Sequence, residues 1–470
     1  MNTPPSLETD SNIVALWPES AEDGASAAAH LVGAAGAGMR ALAAVLAEAG
    51  WKVSGSDQSL AEHRASNVPV DCRLVAHSPA VPEDNVELIA ARALGIPTLS
   101  YPEVLGRLMR QRCGVAVAGA HGKSTTTAMT AAIFRCCGLD PTVLLGATPL
   151  GSTSGGVFGR GPLVLAEACE YRENFCHLRP HVAALLGIDW DHVDCFASRV
   201  DVERAFSRFV TGMPGDGTLV VAAECGASKA IALECGLQTE SFGLDAEADW
   251  RAVELRSRLG RYHFRLERRG VSLGQARLQV LGRHQVANAL AAAALAAQFG
   301  VAAADILAGL AEFAGLERRL ETLGESRRVA VIDDYAHHPT EVRASLAAIR
   351  EAYPGRRVWV VFEPHQALRT RALLDDFAIS LQNADCVAVA DALLVREQMP
   401  PTADGRARFA RSVAEELAWS TRALGRRVAA EHATDEISAM LARDLRPGDV
   451  LVTMGAGNIG KSAHELIHRL

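Results

Sequence analysis

A glycine-rich turn between an apolar strand and a helix constrains this chain more than any other stretch of its sequence. Residues 115–117 have strand character, residues 118–124 read AGAHGKS, and a helical apolar pattern begins at Thr125. In a phosphate-binding loop of this kind, backbone N–H groups and the helix N-terminus hold phosphate oxygens. Lys123 would add charge at the outer phosphates, and the Ser124 hydroxyl could bind Mg²⁺. The turn therefore predicts a nucleoside triphosphate site.

The loop departs from the strict pattern, because valine stands at position 117, where the first glycine is usual. The alternative interpretation is an ordinary turn between a strand and a helix that happens to contain a lysine. The order of strand, small-residue turn, Gly-Lys-Ser and helix favours the phosphate-binding loop. What the triphosphate is used for has to be inferred from the rest of the chain.

The length and charge of the chain restrict its class. A chain of 470 residues predicts about three domains, and a net charge of −8 without a long basic run argues against a nucleic-acid partner. The ten cysteines show no metal-binding spacing, which favours reduced thiols in a cytoplasmic protein. No apolar run reaches the length of a membrane span, so no membrane partner is expected. Residues 1–27 lack a signal-peptide pattern and are predicted to form a disordered extension.

The first third of the chain predicts a strand, helix and strand of the dinucleotide-binding type. A strand at residues 28–32 runs into a turn with three glycines, Gly33, Gly36 and Gly38. A second strand ends at Asp57, and such an acid can bind a ribose hydroxyl while the glycines approach a diphosphate. Alanine replaces the middle glycine of the usual pattern, so a turn without a ligand is one alternative. Two ligands fit otherwise: a nicotinamide or flavin dinucleotide, or the diphosphate of a nucleotide-linked substrate.

Carboxylate and imidazole side chains follow two predicted strands of the central third. Glu170 follows a strand that begins at residue 163, and His192 follows the strand at residues 182–188. Ligands sit outside the carboxyl ends of parallel strands, so both side chains belong at the sheet edge that carries Lys123. Carboxylate oxygen suits Mg²⁺, and imidazole is a less usual ligand that can serve a second site. We therefore predict a metal site here, in preference to a purely structural histidine.

Two further segments have weaker signals. Residues 215–280 alternate in short stretches and predict a small, partly antiparallel β extension. Residues 282–288 open an alanine-rich helix, whose amide side chains could bind a base or a phosphate, or simply cap the helix. The last third predicts a second open α/β sheet, with Asp, His and Arg side chains at strand ends in residues 333–341 and 363–371. Those side chains suit a ribose, a phosphate or a substrate carboxylate.

Together these motifs resemble the Mur ligase family over nearly the whole chain, from residue 30 to residue 460. They occur in the family's order: HLVGAAGAGM, SGSD, AGAHGKSTTT, EACEY, DWDHVD, GRHQVANA, ERRLE, DDYAHHPTE, PHQALRT and GAGNIG. The resemblance implies an α/β fold of three domains. A Rossmann-like domain at residues 28–112 would bind a UDP-sugar, and residues 113–323 would form a central P-loop ATPase domain with a small β extension. A Rossmann-like C-terminal domain at residues 324–470 would complete the ATP site and receive the amino acid.

Within the family, the segments are most similar to the enzymes that join L-alanine to UDP-N-acetylmuramate in peptidoglycan precursor synthesis. The resemblance implies ATP and Mg²⁺ as cofactors and these two molecules as substrates. The lactyl carboxylate would attack the γ-phosphate, and the alanine amine would then displace phosphate from the acyl phosphate, leaving ADP and phosphate as products. Such chemistry needs no protein nucleophile, and the sequence shows no Ser-His-Asp or Cys-His arrangement. A cytoplasmic monomer or homodimer is expected.

The resemblance also implies roles for individual residues. Catalysis would depend on Lys123, Glu170, His192 and Arg319. ATP would contact Gly119, Ala120, His121, Gly122, Lys123, Ser124, Thr125, Asn288, Arg319 and Asp334. The UDP-sugar would contact Gly33, Gly36, Gly38, Asp57 and Ser78. L-Alanine would contact Tyr335, His337 and Arg369. One Mg²⁺ would bind Ser124 and Glu170, and a second would bind His192.

Departures from the family pattern bear on specificity. Ala35 narrows the diphosphate turn, and Gln285 stands where relatives usually carry an asparagine. Gln366 stands where many relatives have a second arginine, which leaves Arg369 as the main clamp for the alanine carboxylate. Two alternatives stay open. One is a related ligase that adds a preformed peptide to the same UDP-sugar. The other is a nicotinamide-dinucleotide oxidoreductase, against which the complete central ATPase counts.

Overall fold

The computed structural model describes residues 27–469 except 60–61, 246, 396, 433–436, 438–439 and 442. The predicted extension at residues 1–27 lies, apart from Ala27, outside the described residues. The described chain forms three sheets, of four, ten and six strands. The predicted fold class, an α/β protein of three domains with Rossmann-like terminal domains, is confirmed. No helix in this part of the chain is both long and apolar enough to span a membrane.

The first sheet is wholly parallel. Its elements are β1 (Ala28–Val32), α1 (Ala37–Glu48), β2 (Lys52–Ser56), β3 (Cys72–His77), α2 (Val86–Ala93), β4 (Thr98–Ser100) and α3 (Tyr101–Gln111), with a 3₁₀ turn at Ala65–Asn67. The strands lie in the order β2-β1-β3-β4. The carboxyl ends of β1 and β3 are therefore neighbours, and the glycine turn after β1 lies beside the residues that follow β3.

The second sheet carries the phosphate-binding loop near its middle. Its strands are β5 (Cys113–Ala118), β6 (Thr142–Leu144), β7 (Gly156–Val157), β8 (Leu163–Ala168), β9 (Val182–Leu185), β10 (Thr218–Ala222), β11 (Gln238–Gly243), β12 (Trp250–Arg258), β13 (Arg261–Arg268) and β14 (Val271–Leu281). Its helices are α4 (Lys123–Cys136), α5 (Arg199–Thr211), α6 (Gly226–Glu234), α7 (His284–Ala297) and α8 (Ala303–Glu312), with a 3₁₀ segment at Tyr171–His177. The order is β14-β13-β12-β11-β10-β9-β5-β8-β6-β7, so β5 lies between β8 and β9. The β extension expected over residues 215–280 begins only at β12: the antiparallel set β12 to β14 continues this sheet, whereas β10 and β11 are parallel strands joined by α6.

The third sheet belongs to the C-terminal part of the chain. Its strands are β15 (Glu321–Ser326), β16 (Val329–Asp334), β17 (Val358–Phe362), β18 (Cys386–Ala390), β19 (Arg427–His432) and β20 (Val450–Met454). Its helices are α9 (Pro339–Ala352), α10 (Ala367–Ala372), α11 (Leu374–Ser380), α12 (Ala403–Ala423) and α13 (Ile459–Arg469), with a 3₁₀ turn at Leu381–Asn383. The order is β15-β16-β20-β17-β18-β19, and only β15 is antiparallel to its neighbour.

The sheets bear on the domain boundaries. The boundary predicted between residues 112 and 113 falls between α3 and β5, and we keep it as a proposal. The boundary predicted between residues 323 and 324 falls inside β15. Because a strand belongs to one sheet, we propose that the C-terminal domain begins before Glu321.

Small residues pack the helices behind the phosphate-binding loop. In α7 every residue from Ala289 to Ala296 is fully buried. In α8, Gly309 lies so close to α4 that a Cβ atom there would come within 2.4 Å of the Cα of Ile133. Close packing of this kind leaves little room for a helix to shift. The loop is therefore presented by a helix that is held firmly on two sides.

Candidate active site

The glycine turn between β5 and α4 has the backbone that a phosphate-binding loop requires. Gly119 and Gly122 have φ angles of 142° and 82°, and Gly122 is the N-cap of α4. A Cβ at Gly119 would lie 2.6 Å from the Cβ of Leu186, and a Cβ at Gly122 would lie 2.5 Å from Oδ1 of Asn288. Only glycine fits both the conformation and the space. The N–H groups of the first turn of a helix lack intrahelical partners, so the N-terminus of α4 can bind an anion.

The ammonium group of Lys123 lies against its own loop and a neighbouring carboxylate. Nζ donates to the carbonyl oxygens of Gly119 and Ala120 at 2.6 and 3.1 Å, and to both carboxylate oxygens of Glu170 at 3.0 and 2.8 Å. Burial alone would lower the pKa of Lys123, yet the Glu170 carboxylate raises it to about 12. Burial alone would raise the pKa of Glu170, yet the charge of Lys123 and the contact with His192 lower it to about 2. Both groups of the ion pair are therefore charged at neutral pH.

A second carboxylate, Glu167, holds the hydroxyl of the loop. Ser124 Oγ donates to Oε2 of Glu167 at 2.9 Å, and the backbone N–H of Gly146 donates to Oε1 of the same residue at 2.6 Å. The resemblance implied that Ser124 and Glu170 bind the same Mg²⁺, whereas the structure places Glu167 beside the Ser124 hydroxyl. A signal for Glu167 was present, since two carboxylates three residues apart lie at the carboxyl end of β8.

His192 lies beside Glu170 in an unusual backbone conformation. Its φ is 54°, and its Nε2 lies 3.5 Å from Oε1 of Glu170. Its backbone N–H donates to Oδ1 of Asp191 at 2.6 Å. A left-handed backbone is costly for a residue with a Cβ, so the surrounding contacts must hold it in place. The structure thus places two predicted metal ligands, Glu170 and His192, side by side, although the resemblance assigned them to different Mg²⁺ ions.

Arg369, the predicted clamp for the amino-acid carboxylate, crosses from the C-terminal domain to the central domain. Its side chain is 1% exposed, and Nη2 lies 2.8 Å from Oδ1 of Asp191 and 3.4 Å from Nδ1 of His192. Nη1 lies 3.4 Å from Nδ1 of His365. Although burial opposes it, the charges of His192 and Arg369 hold the pKa of Asp191 well below its usual range. Sequence reasoning missed Asp191, because its spacing carries no sign of a partner in another domain.

His121 links the phosphate-binding loop to the start of α9. Its Nε2 lies 3.4 Å from Oδ2 of Asp189, and its Nδ1 lies 3.2 Å from Oε1 of Glu341. Burial opposes protonation, yet these two carboxylates raise the pKa of His121 to about 9. The Thr340 hydroxyl donates to the same Asp189 oxygen at 2.8 Å. Potential ligand atoms of His121, Asp189 and His338 lie within 4.8 Å of one another, but a protonated His121 is already neutralised by its two carboxylates.

One cavity lies between α7 and the C-terminal domain, and we call it the α7 cavity. The predicted ATP-binding residues that line it are His121, Gly122, Thr125, Asn288, Arg319 and Asp334. Asn288 donates to Oε1 of Gln285 at 2.9 Å, so these two amides act as a pair. Asp334 is buried, its Oδ2 has no hydrogen-bond partner, and burial raises its pKa to about 6. An unpaired buried acceptor is costly, and a ligand hydroxyl would satisfy it. His284, which belongs to the segment predicted to face a base or phosphate, also lines the cavity, and so does Phe242, which was not predicted.

A second cavity, the loop cleft, gathers predicted residues from the central and C-terminal domains. Its lining includes Ala120, Gly122, Lys123, Ser124, Thr125, Glu170, His192, Arg319, Tyr335 and His337. The guanidinium carbon of Arg319 lies 4.8 Å from the centre of the Tyr335 ring. Its neighbour Arg318 also lines the loop cleft and lies 5.2 Å from the centre of the same ring, and it pairs with Oδ2 of Asp333 at 3.1 Å. Arg369 does not line the loop cleft itself but lies against His192, which does.

A third cavity, the α1 cavity, lies between the first and central domains and is also lined by residues 397–399 of the C-terminal part. Its volume of about 790 Å³ is in the range of small-molecule sites. The predicted UDP-sugar residues Gly36, Gly38 and Ser78 line it. His192 and Glu167 also line it, so it adjoins the loop cleft.

Two predicted UDP-sugar residues do not line the α1 cavity. A Cβ at Gly33 would lie 2.9 Å from the Cβ of Ser78, so this glycine is needed for the packing of the turn. The carboxylate of Asp57 accepts hydrogen bonds from the N–H groups of Ala35 and Ser59, at 3.1 and 2.9 Å. Asp57 therefore braces the backbone of the turn, and its spacing alone could not distinguish this role from ribose binding.

The fold and the site together define a multidomain α/β enzyme whose phosphate-binding loop opens on a cleft that adjoins a second cavity. Three segments match family models: residues 28–113 match the Mur ligase family, catalytic domain, residues 163–296 the Mur ligase middle domain, and residues 318–457 the glutamate ligase domain of Mur ligases. The chain belongs to the Mur ligase family, and it is an ATP-dependent ligase. The resemblance stated from its motifs is confirmed.

Curated relatives match along most of the chain. The UDP-N-acetylmuramate--L-alanine ligase of Desulfitobacterium hafniense (strain Y51) is 35% identical over 453 residues, which cover 93% of this chain and 99% of that protein. The enzyme of the same name from Nitratidesulfovibrio vulgaris (strain DP4) is 36% identical over 446 residues, covering 92% of this chain and 96% of that protein.

Solved structures show the same fold. The crystal structure of UDP-N-acetylmuramate-alanine ligase MurC from Thermotoga maritima has a TM-score of 0.77 and 26% identity, and covers 94% of this chain and 98% of that chain. A murein peptide ligase from Psychrobacter arcticus has a TM-score of 0.70 and 23% identity, with the same coverage of 94% and 98%. At that identity the second match speaks for the fold alone.

Proposed function

We propose that this protein joins the lactyl carboxylate of UDP-N-acetylmuramate to L-alanine, using ATP and forming an acyl-phosphate intermediate. The ligases of Desulfitobacterium hafniense and Nitratidesulfovibrio vulgaris, at 35% and 36% identity, support this pair of substrates. The observation that carries the proposal is the loop cleft, in which Lys123, Glu170 and His192 meet Tyr335 and His337. Residues proposed for a triphosphate and for an amino acid thus line one cleft, and this cleft adjoins the α1 cavity proposed for the sugar nucleotide. The comparisons favour this function over an oxidoreductase or a peptide-adding ligase.

Nucleotide binding would change the partner of Lys123. With a triphosphate in the loop, the ammonium group can leave Glu170 for the outer phosphate oxygens, because lysine is a point charge on a flexible stem. Its charge would then stabilise the phosphoryl group during transfer, and phosphoryl transfer depends chiefly on such stabilisation and on positioning. The same movement would free Glu170 to bind a cation.

Two pairs of side chains fit Mg²⁺. Ser124 Oγ and Glu167 Oε2 lie 2.9 Å apart, and Glu170 Oε1 and His192 Nε2 lie 3.5 Å apart. Mg²⁺ binds oxygen ligands at about 2.1 Å in an octahedron, so neighbouring ligands lie about 3 Å apart. We therefore propose Ser124 with Glu167 at one site, and Glu170 with His192 at a second. Bound Mg²⁺ would supply positive charge that offsets the negative charge of the phosphates.

The reaction would proceed in two displacements. A lactyl carboxylate oxygen bonds to the γ-phosphorus while the bond from that phosphorus to the bridging oxygen of ADP breaks. The alanine nitrogen then bonds to the carbonyl carbon, the bond from this carbon to the phosphate oxygen breaks, and the proton lost by the amine leaves on the phosphate. Arg319, stacked on Tyr335, is the proposed partner of the γ-phosphate. The protein contributes orientation and charge and forms no covalent intermediate with either substrate.

The amino-acid pocket is proposed beside the ion pair of Asp191 and Arg369. The buried Nε of Arg369 has no hydrogen-bond partner, so the guanidinium group retains a donor for a substrate carboxylate. Gln366 is 1% exposed and donates to the carbonyl oxygen of Val395 at 3.4 Å. Gln366 therefore points into the C-terminal domain, and Arg369 remains the proposed clamp.

Phosphate release in the presence of ATP, UDP-N-acetylmuramate and a set of acceptors tests the proposed function. We expect release with L-alanine to exceed release with glycine, L-serine or a preformed peptide. Omission of the sugar nucleotide or of the amino acid should abolish it. A preformed peptide as the best acceptor would contradict the proposal and support the peptide-adding alternative.

The compartment and the assembly stay proposals. All ten cysteines lie in the described part of the chain as free thiols, which supports a reducing compartment such as the cytoplasm. A monomer or homodimer is the proposed state, to be measured by light scattering of the purified protein.

A further inference from the structure

The lining of the α1 cavity contains one permanent positive charge. Among the described residues that line it, Arg172 is the only lysine or arginine. The lining also includes the carboxylates of Glu167 and Glu397, and Glu167 is already bound by Ser124. A sugar nucleotide carries a diphosphate, so a cavity built for one needs cationic or N–H donors. The position of Arg172 therefore matters more than that of an ordinary exposed arginine.

The backbone that carries Arg172 is strained and firmly anchored. Arg172 and Glu173 have φ angles of 50° and 56°, so two consecutive residues with Cβ atoms adopt the left-handed conformation. That conformation is unfavourable for such residues and persists only when the surroundings impose it. Two contacts hold the segment just after Arg172. Arg208 pairs with Glu173 through two hydrogen bonds of 2.8 and 2.5 Å, and the buried Phe175 stacks on Phe209 with ring centres 4.9 Å apart.

The side chain of Arg172 is oriented by its neighbour. Its guanidinium carbon lies 5.6 Å from the centre of the Tyr171 ring, a distance typical of a cation–π contact. The Tyr171 hydroxyl donates to Oδ2 of Asp194 at 3.1 Å, which fixes the ring. No carboxylate of the described residues lies within ion-pair distance of Arg172. The cavity thus has an oriented guanidinium group whose charge is not neutralised.

We propose that Arg172 binds the diphosphate of the sugar nucleotide, an inference that rests on the proposed function. The glycine turn after β1 offers backbone N–H groups and the partial charge of a helix N-terminus, which fall short of the two charges of a diphosphate. A planar guanidinium group can bind two phosphate oxygens at once. The lactyl carboxylate is the less suitable partner, because ion pairing would weaken it as the attacking group. The lactyl carboxylate must also reach the γ-phosphate beside Lys123. Lys123 lines the loop cleft and not the α1 cavity.

Direct binding of UDP to the full chain, measured by calorimetry, tests this inference without any need for ligase activity. Arg172→Ala should weaken UDP binding about 10- to 100-fold, the usual effect of losing a charged hydrogen-bonding group. Uridine, which lacks the phosphates, should bind to both proteins with constants within about twofold. Arg199→Ala is the matched control, because Arg199 pairs with Glu203 on the exposed face of α5 and should leave UDP binding unchanged.

A second variant separates lost charge from lost folding. Arg172→Gly removes the guanidinium group at a position where glycine suits the observed φ, so its thermal unfolding should match that of the wild type or exceed it. The inference is supported if both variants lose affinity for UDP but keep their affinity for uridine. Unchanged UDP binding in the folded Arg172→Gly protein overturns it, and so does an equal loss for UDP and uridine. If the wild type binds UDP but releases no phosphate with L-alanine, the proposed function fails while the role of Arg172 is still measured.

Discussion

The two glycine turns of this protein, after β1 and after β5, share a backbone design but obtain their charge differently. The turn after β5 contains Lys123, and Glu170 and Glu167 from the end of β8 hold this ammonium group and the hydroxyl of Ser124. The turn after β1 reads GAAGAG and has no charged side chain. Its nearest acid, Asp57, binds the backbone of the turn.

The difference follows from what each turn would hold. At the turn after β5 a phosphoryl group would be transferred, so charge must be close and able to move from a carboxylate to a phosphate. At the turn after β1 the phosphates would stay on the substrate. A helix N-terminus, together with one arginine from a distant part of the sequence, is then sufficient for binding. Changes at the turn after β5 should therefore stop the reaction, whereas changes around the turn after β1 should weaken binding.

The largest effect is expected from Lys123→Ala. Removal of the ammonium group leaves the transferred phosphoryl group without its nearest cation, and kcat should fall by about 10³-fold or more. Phosphate release at saturating substrates measures this, with Lys229→Ala on the exposed face of α6 as the control. Turnover close to normal would mean that the turn after β5 is not the site of transfer.

Next in size are Glu167→Gln and Glu170→Gln, which test the proposed metal ligands. Each should lower kcat by about 10²-fold and raise the Mg²⁺ concentration needed for half-maximal activity, because a neutral amide binds the cation more weakly. Titration of phosphate release with Mg²⁺ measures both effects, and Glu203→Gln on α5 is a surface control. If only Glu170→Gln shifts the titration, Glu167 is not a ligand, and if neither does, both assignments are wrong.

Arg369→Ala should act mainly on the amino acid. The KM for L-alanine should rise about 10- to 100-fold, while the KM for ATP changes little, because a carboxylate loses its charged partner. The same change leaves Asp191 buried without its cation and should reduce the free energy of unfolding by about 3 kcal/mol. The double variant with Asp191→Ala should recover much of that stability but not the alanine KM. An equal rise in both KM values would reject Arg369 as the clamp.

The smallest effect concerns pH and the loop histidine. Because the pKa of His121 is raised from 6.5 to about 9 in the folded protein, its contribution to stability is complete below pH 6.5 and is lost as the pH rises through about 9. The free energy of unfolding should fall by at most about 3 kcal/mol over that interval. His121→Asn should lack this fall, as measured by urea unfolding at several pH values. If the free energy of unfolding changes with pH in the same way for the wild type and His121→Asn, the ion pairs of His121 with Asp189 and Glu341 are contradicted.

The sequence predicted more of the site within one sheet than between domains. Glu170 and His192 could be placed beside Lys123 because the carboxyl ends of parallel strands share an edge. The partners Asp191 and Arg369 could not be paired, because they belong to different domains and their contact depends on how those domains pack. Their side chains carried suitable chemistry, but spacing along the chain does not encode a contact between separate sheets.

What the sequence left open at the first turn has a different origin. Asp57 stands where a ribose-binding acid is expected, yet a carboxylate at a strand end can also accept hydrogen bonds from the preceding turn, as it does here from Ala35. Arg172 was not selected because no spacing rule links it to the turn after β1. The proposed role of Arg172 in binding the diphosphate rests on the α1 cavity, whose lining contains both Arg172 and two glycines of that turn.

The central claim is that a carboxylate of the sugar nucleotide attacks the γ-phosphate and is activated as an acyl phosphate. The most direct measurement uses UDP-N-acetylmuramate labelled with ¹⁸O in the lactyl carboxylate, with mass analysis of the released phosphate. We predict that each phosphate released in the presence of L-alanine carries one oxygen from the labelled carboxylate. Unlabelled phosphate, with the oxygen that leaves the carboxylate recovered in water or in ADP, would contradict the acyl-phosphate mechanism.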